Sequence, residues 1–320
     1  VAQVPQKLYV EVLVTSDGHT GRAVVRDLHT NVVLVEQDGV ATLDKQHADP
    51  AAAGDSDVVT PEQIAEFLTV RSIWDYCTEE LDPMHDPIDI IRSAVQVNTT
   101  ISNEGLSKEY GLAIGRNLEL NCRKGLMTRD LTTNAMVIAS AGADARMAGA
   151  PVSVVANSGS GNQGITCSVP LIEYAKELHS GKEKLYRALI ISNLVAIHEK
   201  TGIGTLSAYC GAVSAGAGAG AGIVYLCGDG YQAAIHTVVN ALAIVSGIVC
   251  DGAKASCAAK IASSVDAALL GYNMYKCNQE FKGGDGIVMK DIETTIKGIG
   301  RLGKDGMRQT NEEIIRLMMS

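Results

Sequence analysis

Three cysteines, Cys210, Cys250 and Cys257, sit among unusually small neighbours. The local sequences are Tyr209-Cys210-Gly211, Val249-Cys250-Asp251-Gly252 and Ser256-Cys257-Ala258. Small flanking residues leave room beside each sulfur for a bulky group. Cys250 and Cys257 are seven residues apart, which on one unbroken helix is about 10.5 Å of rise, too far for two ligands of one compact cluster. Asp251-Gly252 can break such a helix and let the thiols converge. Three thiolates rather than four suit an iron–sulfur cluster that keeps one iron open to substrate. Spacing alone favours the plainer reading, three buried cysteines acting as small hydrophobes, because the chain has no Cys-x-x-Cys. Cys77, Cys122, Cys167, Cys227 and Cys277 are read in that plainer way.

The second candidate is the stretch Asn157-Ser158-Gly159-Ser160-Gly161-Asn162-Gln163-Gly164, which carries glycines, hydroxyls and amides and no charge. An apolar run, 151–156, precedes it and a helix-like segment, 169–178, follows. A glycine-rich loop feeding a helix start aims free N–H groups at one spot, which suits an anion. Gly159, Gly161 and Gly164 match G-x-G-x-x-G literally. A dinucleotide fold also needs a βαβ unit and an acidic residue about 20 positions on. Glu173 and Glu177 meet the acid requirement only loosely, and no second parallel strand follows. The loop is therefore read as a cradle for a small anion, with a plain structural turn as the alternative. The Gly-Ala repeat through Gly216, Gly218, Gly220 and Gly222 also imitates a phosphate loop, but it is read as close helix packing.

Three further residues could orient a ligand. His29 lies in a His-Thr-Asn turn between two strand-like runs; an ordinary loop is the other reading. Lys200 ends His198-Glu199-Lys200 and could meet a carboxylate, or be a solvated charge at a helix end. Arg146, in an Ala/Gly segment, could clamp an anion or pair with Asp144.

Taken together, these motifs carry a resemblance. Ser102-Asn103-Glu104-Gly105-Leu106, Asp144 to Gly149, Asn157 to Ile165, Leu206 to Gly211 and Val249 to Ala258 look like the L-cysteine desulfidase family, which is related to the iron–sulfur L-serine dehydratases. The resemblance runs from about Lys7 to Met318. It implies a [4Fe–4S] cluster held by Cys210, Cys250 and Cys257, without pyridoxal phosphate. It implies β-elimination from L-cysteine to sulfide, ammonia and pyruvate, with loss of water from L-serine in the relatives that act on serine. Asn157, Ser158, Gly159, Ser160, Gly161, Asn162 and Gln163 then hold the substrate carboxylate, with His29, Arg146 and Lys200 as secondary contacts. Members of that family carry an upstream Gly-Cys-Thr-Glu-Pro whose Cys takes part in catalysis. That motif does not occur in these 320 residues, so the base is assigned to no residue here. A complementary N-terminal segment, a homo-oligomer, or a non-catalytic subunit is the corresponding expectation.

The elements that position these groups fall into two parts, giving an α+β chain with a small antiparallel β element followed by a large all-helical catalytic domain. Lys7 to Thr15 alternates with period 2, and Arg22 to Leu28 and Asn31 to Gln37 are strand-like, separated by turn residues. They predict a meander of about three strands within residues 1–50. Residues 44–57 read as a linker. Thr60-Pro61 supplies a helix start, and residues 51–320 read as a helical domain. Helices are expected over Ile88 to Val97, Asp130 to Gly149, Lys184 to Ile197, Leu206 to Leu226, Tyr231 to Val249, Ala255 to Gly271 and Thr310 to Met319.

Composition narrows the partners. Hydrophobic residues make up 46% of the chain but aromatics only 4%, so the interior must be built from Ala, Val, Ile and Leu. A net charge of −9 offers no electrostatic footprint for nucleic acid or an anionic membrane. No apolar run reaches the ~18 residues of a membrane span. Eight cysteines in a chain without a signal peptide suit a reducing cytoplasm. The expected partner is a small amino acid, L-cysteine or L-serine.

Overall fold

The structure is a computed structural model that describes residues 4, 8–27, 31–46, 63, 67–204 and 206–320. It divides into two compact units, Val1–Thr60 and Pro61–Ser320, ten residues beyond the boundary read from composition. His29 lies outside the described residues.

The first unit is a four-stranded antiparallel sheet, β1 (Tyr9–Ser16), β2 (His19–Arg26), β3 (Val32–Gln37) and β4 (Val40–Asp44), paired in chain order. Asp17-Gly18 and Asp38-Gly39 turn the two outer hairpins, and all four residues take positive φ. That is the backbone of the two-residue turns that match the twist of paired strands. The meander thus has one strand more than expected. Val40-Ala41-Thr42-Leu43 is too short to show a period, but pairing with β3 from Gln37↔Val40 to Leu34↔Asp44 makes it a strand. The core of this sheet is Val24, Val33 and Leu34 with Tyr9 packed against them.

The second unit holds eleven α-helices among the described residues: α1 (Val70–Asp75), α2 (Asp89–Ser107), α3 (Ile114–Arg123), α4 (Leu131–Met147), α5 (Gly161–Glu177), α6 (Lys182–Ile203), α7 (Gly211–Cys227), α8 (Tyr231–Val245), α9 (Ser256–Lys276), α10 (Ile292–Arg301) and α11 (Arg308–Met319). No helix among the described residues is long and apolar enough to cross a membrane.

Helix α7 is the axis of this unit. It packs against α5, α6, α8 and α9, and nearly all of its residues are buried, as expected for a helix that is apolar all round. Its Gly-Ala repeat is what lets four neighbours approach. A Cβ on Gly216 would sit 2.6 Å from the Ser264 carbonyl oxygen of α9, and one on Gly218 would sit 2.4 Å from the Ser192 carbonyl oxygen of α6. A Cβ on Gly222 would meet Leu171 of α5 at 2.4 Å. Each glycine inside a helix costs about 0.8–1.0 kcal/mol relative to alanine. Here that cost is offset by burying apolar surface on every side, in a chain too poor in aromatics to fill wider gaps.

Candidate functional site

The three cysteines are brought together by two devices. Residues 208–210 and 248–250 lie side by side as a minimal antiparallel pair, with Tyr209 bridging Val249. The Cys210 N–H donates to the Ile248 carbonyl at 3.2 Å, and the Cys250 N–H donates to the Ala208 carbonyl at 2.6 Å. Backbone bonds therefore hold Cys210 beside Cys250 although 40 positions separate them in sequence.

The third cysteine arrives by a turn. Gly252 has φ +90°, a conformation open to glycine, and the chain then enters α9 one residue before Cys257. Asp251 fastens this turn to the helix by accepting from Lys260 Nζ and, at 3.4 Å, from Ser256 Oγ. The Cys257 thiol donates to the Gly252 carbonyl at 3.6 Å. The expected break at Asp251-Gly252 is thus present. Helix α8 ends at Val245 and α9 starts at Ser256, and the intervening segment carries Cys250. Met318 of α11 rests on the same turn, its Cε placed 3.2 Å from where a Gly252 Cβ would be.

Cys210 is the N-cap of α7 and Cys257 lies in the first turn of α9. The Ala212 N–H in the first turn of α7 is directed at the Cys210 sulfur, whereas the Cys257 and Ala258 N–H groups that open α9 donate to the Lys254 and Ala255 carbonyls. Burial, helped by the neighbouring Cys250 and Cys257 and opposed by the Ala212 N–H and Lys260, raises the Cys210 thiol to about 11. As a bare thiol Cys210 stays protonated near neutrality. A bound metal group is what deprotonates such ligands.

Two cations without partners among the described residues complete the surroundings. Lys200, near the end of α6, is only 8% exposed and has neither a hydrogen bond nor an ion pair. Burial lowers its pKa, while Cys250 and Cys210 act in the opposite direction. It is not a solvated charge at a helix end. Arg146, in the last turn of α4, is half-buried and likewise unpaired. Burial lowers its pKa and Cys257 opposes that shift. Asp144 does not pair with it. Its Oδ2 instead accepts from the Gly115 N–H at 2.9 Å and caps α3.

The glycine stretch meets this group with one face only. Residues 157–160 form a tight turn in which Asn157 and Ser160 exchange backbone hydrogen bonds of 3.1 and 2.9 Å, with Ser158 and Gly159 at positive φ. Ser160 then caps α5, its Oγ accepting from the Gln163 N–H at 3.4 Å. Helix α5 therefore starts at Gly161, inside the stretch, and runs through Pro170.

The turn spends its side chains on structure. Asn157 Nδ2 donates to Asn193 Oδ1 at 2.9 Å and to the Asn193 carbonyl at 3.1 Å, and Ser158 Oγ donates to Asn157 Oδ1 at 2.8 Å. The first turn of α5 faces the cations and cysteines. A Cβ on Gly161 would lie 2.3 Å from Arg146 Nε, and one on Gly211 would lie 2.6 Å from Gln163 Cδ. The buried Asn162 Oδ1 and Gln163 Oε1 have no partner. Gly164 is required for another reason: a Cβ there would stand 1.9 Å from the Val155 carbonyl oxygen.

Sequence reasoning left Glu199 out of the site. It is 1% exposed, both carboxyl oxygens lack a hydrogen bond, and the buried hydroxyls of Tyr209 and Ser214 are unpartnered too. Burial holds the Glu199 carboxyl well above the usual carboxylate range; Ser214 is close enough to oppose this weakly but not in hydrogen-bonding geometry. Glu199 also raises the Tyr209 pKa, after burial, so a neutral acid stands behind the segment that carries Cys210. The available signal was its place between His198 and Lys200, two residues also buried.

The donor set constrains what the site could hold. Among the described residues, no three His, Cys, Asp or Glu side chains gather tightly enough for a single metal ion. Three thiols from separate segments lie near one another, with the Lys200 and Arg146 side chains beside them.

The family model described as serine dehydratase alpha chain matches residues 28–316. A UPF0597 protein of Desulfitobacterium hafniense is 48% identical over 301 residues, covering 92% of this chain and 66% of that protein. One from Treponema denticola is 43% identical over 316 residues, covering 98% of this chain and 71% of that protein. One from Fusobacterium nucleatum is 36% identical over 317 residues, with coverages of 98% and 71%. The chain thus spans 66% to 71% of the length of these relatives.

Proposed function

Since this chain belongs to the UPF0597 family, and through residues 28–316 to the serine dehydratase alpha chain family, we propose that it serves β-elimination from a small L-amino acid, with L-cysteine as the substrate. The overall change is L-cysteine plus water to hydrogen sulfide, ammonia and pyruvate. The observation that supports this reading best is the convergence of Cys210, Cys250 and Cys257 beside the unpaired Lys200 and Arg146.

In this reading Cys210, Cys250 and Cys257 hold a [4Fe–4S] cluster. When bound, it supplies a Lewis-acidic iron that makes the β-substituent a better leaving group. Arg146 takes the substrate carboxylate; its guanidinium offers a planar fork of donors and has no competing carboxylate among the described residues. Lys200 contributes positive charge beside Cys210 and Cys250, where burial magnifies its effect. Gln163 fills the space above Gly211 and keeps water from the start of α7. The base that takes the α-proton is assigned to no residue of this chain.

The family name also points to L-serine, which would lose water at the same site. The test is anaerobic purification or cluster reconstitution, then a sulfide assay with L-cysteine and a pyruvate assay with L-serine. Iron and acid-labile sulfide with sulfide release from L-cysteine support the reading. Pyruvate from L-serine without sulfide from L-cysteine reassigns the substrate. A colourless, iron-free protein under strictly anaerobic handling sinks the cluster reading.

A further inference from the structure

A cavity of about 380 Å³ opens between α2, α6 and residues 155–158. Its walls are Ile88, Ile91, Ile190, Leu194 and Ile197. Packed interiors rarely leave voids much larger than a water molecule, whereas small-molecule sites begin at about 300 Å³. Ile90, 64% exposed, and Tyr76, 40% exposed, stand at its edge, so it is reachable from solvent.

Its lining is mostly apolar, and two of its polar residues, Asn98 and Ser168, are already bonded to each other and to backbone. No charged side chain lines it, although 20% of the chain is charged. A zwitterionic amino acid placed there would leave two charges desolvated and unpaired, at a cost of several kcal/mol or more. Asn157 and Asn193 also line it and touch each other. Asn157 Oδ1 accepts one hydrogen bond, from Ser158 Oγ, and keeps a second lone pair. Asn193 Nδ2 gives one hydrogen to the Leu189 carbonyl and keeps the other. One free acceptor beside one free donor matches a hydroxyl group, which both donates and accepts.

We propose that this cavity binds a small neutral molecule with a hydrocarbon body and a hydroxyl head, the head held between Asn157 and Asn193. The inference does not depend on the elimination chemistry proposed above. Because Asn157 also closes the turn that caps α5 at Ser160, an occupant touches the segment leading to Gln163 and Gly211.

The test uses 4-fluorobenzyl alcohol as the probe, titrated against the full chain by fluorine NMR. Saturable binding is expected, with hydrogen-exchange protection confined to residues 155–158 and 190–197. Leu194→Trp and Ala94→Leu, which fill the cavity from two sides, are each expected to weaken binding by about tenfold, equivalent to 1.4 kcal/mol. 4-Fluorotoluene, which lacks the hydroxyl, is expected to bind more weakly than the alcohol. Equal binding to wild type and to the filled variants overturns the proposal. Displacement of the probe by L-cysteine overturns it as well, since the cavity would then be the amino-acid site. Should both variants fail to fold, the exchange pattern on the wild type decides: protection elsewhere, or none, overturns the assignment.

Discussion

The side chain of Gln163 lies directly on the α-carbon of Gly211, so close that a methyl group there would stand 2.6 Å from Gln163 Cδ. This contact joins the first turn of α5 to the first turn of α7, immediately after Cys210. It predicts that Gly211→Ala destabilises the protein by about 1–3 kcal/mol through overpacking. In a Gln163→Ala background most of that cost should vanish. Urea midpoints of the two single variants and the double variant measure the coupling. Additive effects would mean that the two residues do not press on one another.

The glycines of α7 give a prediction of opposite sign to helix propensity. On an exposed helix, glycine to alanine gains about 1 kcal/mol. Gly218→Ala should instead cost a few kcal/mol, because the new Cβ meets the Ser192 carbonyl oxygen, which is backbone and cannot swing aside. Thermal unfolding reads this directly. A rise in Tm on Gly218→Ala would show that α6 and α7 are packed less closely than described.

Glu199 makes stability depend on pH in a direction unusual for a carboxylate. Its folded pKa lies well above the ordinary value, so the folded state holds its proton more tightly than the unfolded one. Stability should therefore fall as pH rises from the unfolded value, about 4.3, through the folded one. Asp144, raised by burial to about 6, acts with the same sign. Glu199→Gln should remove its share, so that denaturant midpoints at pH 5 and pH 8 differ less than in wild type. An unchanged pH slope contradicts a buried neutral acid at this position.

Cys257→Ser, loaded with iron and sulfide under anaerobic conditions, should lose the broad visible absorption of an iron–sulfur protein. Cys277→Ser should keep it, since Cys277 is an exposed thiol just past the far end of α9. Similar spectra from both variants would remove Cys257 from the ligand set.

Much of this arrangement was legible in the sequence, for reasons that differ by residue. The helix break at Asp251-Gly252 followed from turn chemistry, and the tight packing at Gly216 to Gly222 followed from a repeat with no strand before it. Helix α5 was placed too late, because Pro170 reads as an N-terminal residue. Ser160, which caps the helix ten residues earlier, was hidden among glycines that suggest a loop. Strand β4 was missed because its five residues carry no usable period. The partition of the glycine stretch, with Asn157 and Ser158 turned to structure and Gly161 to Gln163 turned to the cysteines, depends on tertiary contacts to Asn193, Arg146 and Gly211. Local composition carries no trace of those contacts. Glu199 was invisible because a charged letter near a helix end ordinarily means solvent.

The small backbone pairing at Tyr209 and Val249 brackets the whole of α7 and α8, so it closes a loop of about forty residues and must repay the entropy of doing so. Cys210 and Cys250 stand at the two ends of that loop, so any group that both came to hold would act as a clasp on the two helices it encloses and would stabilise them by its binding free energy.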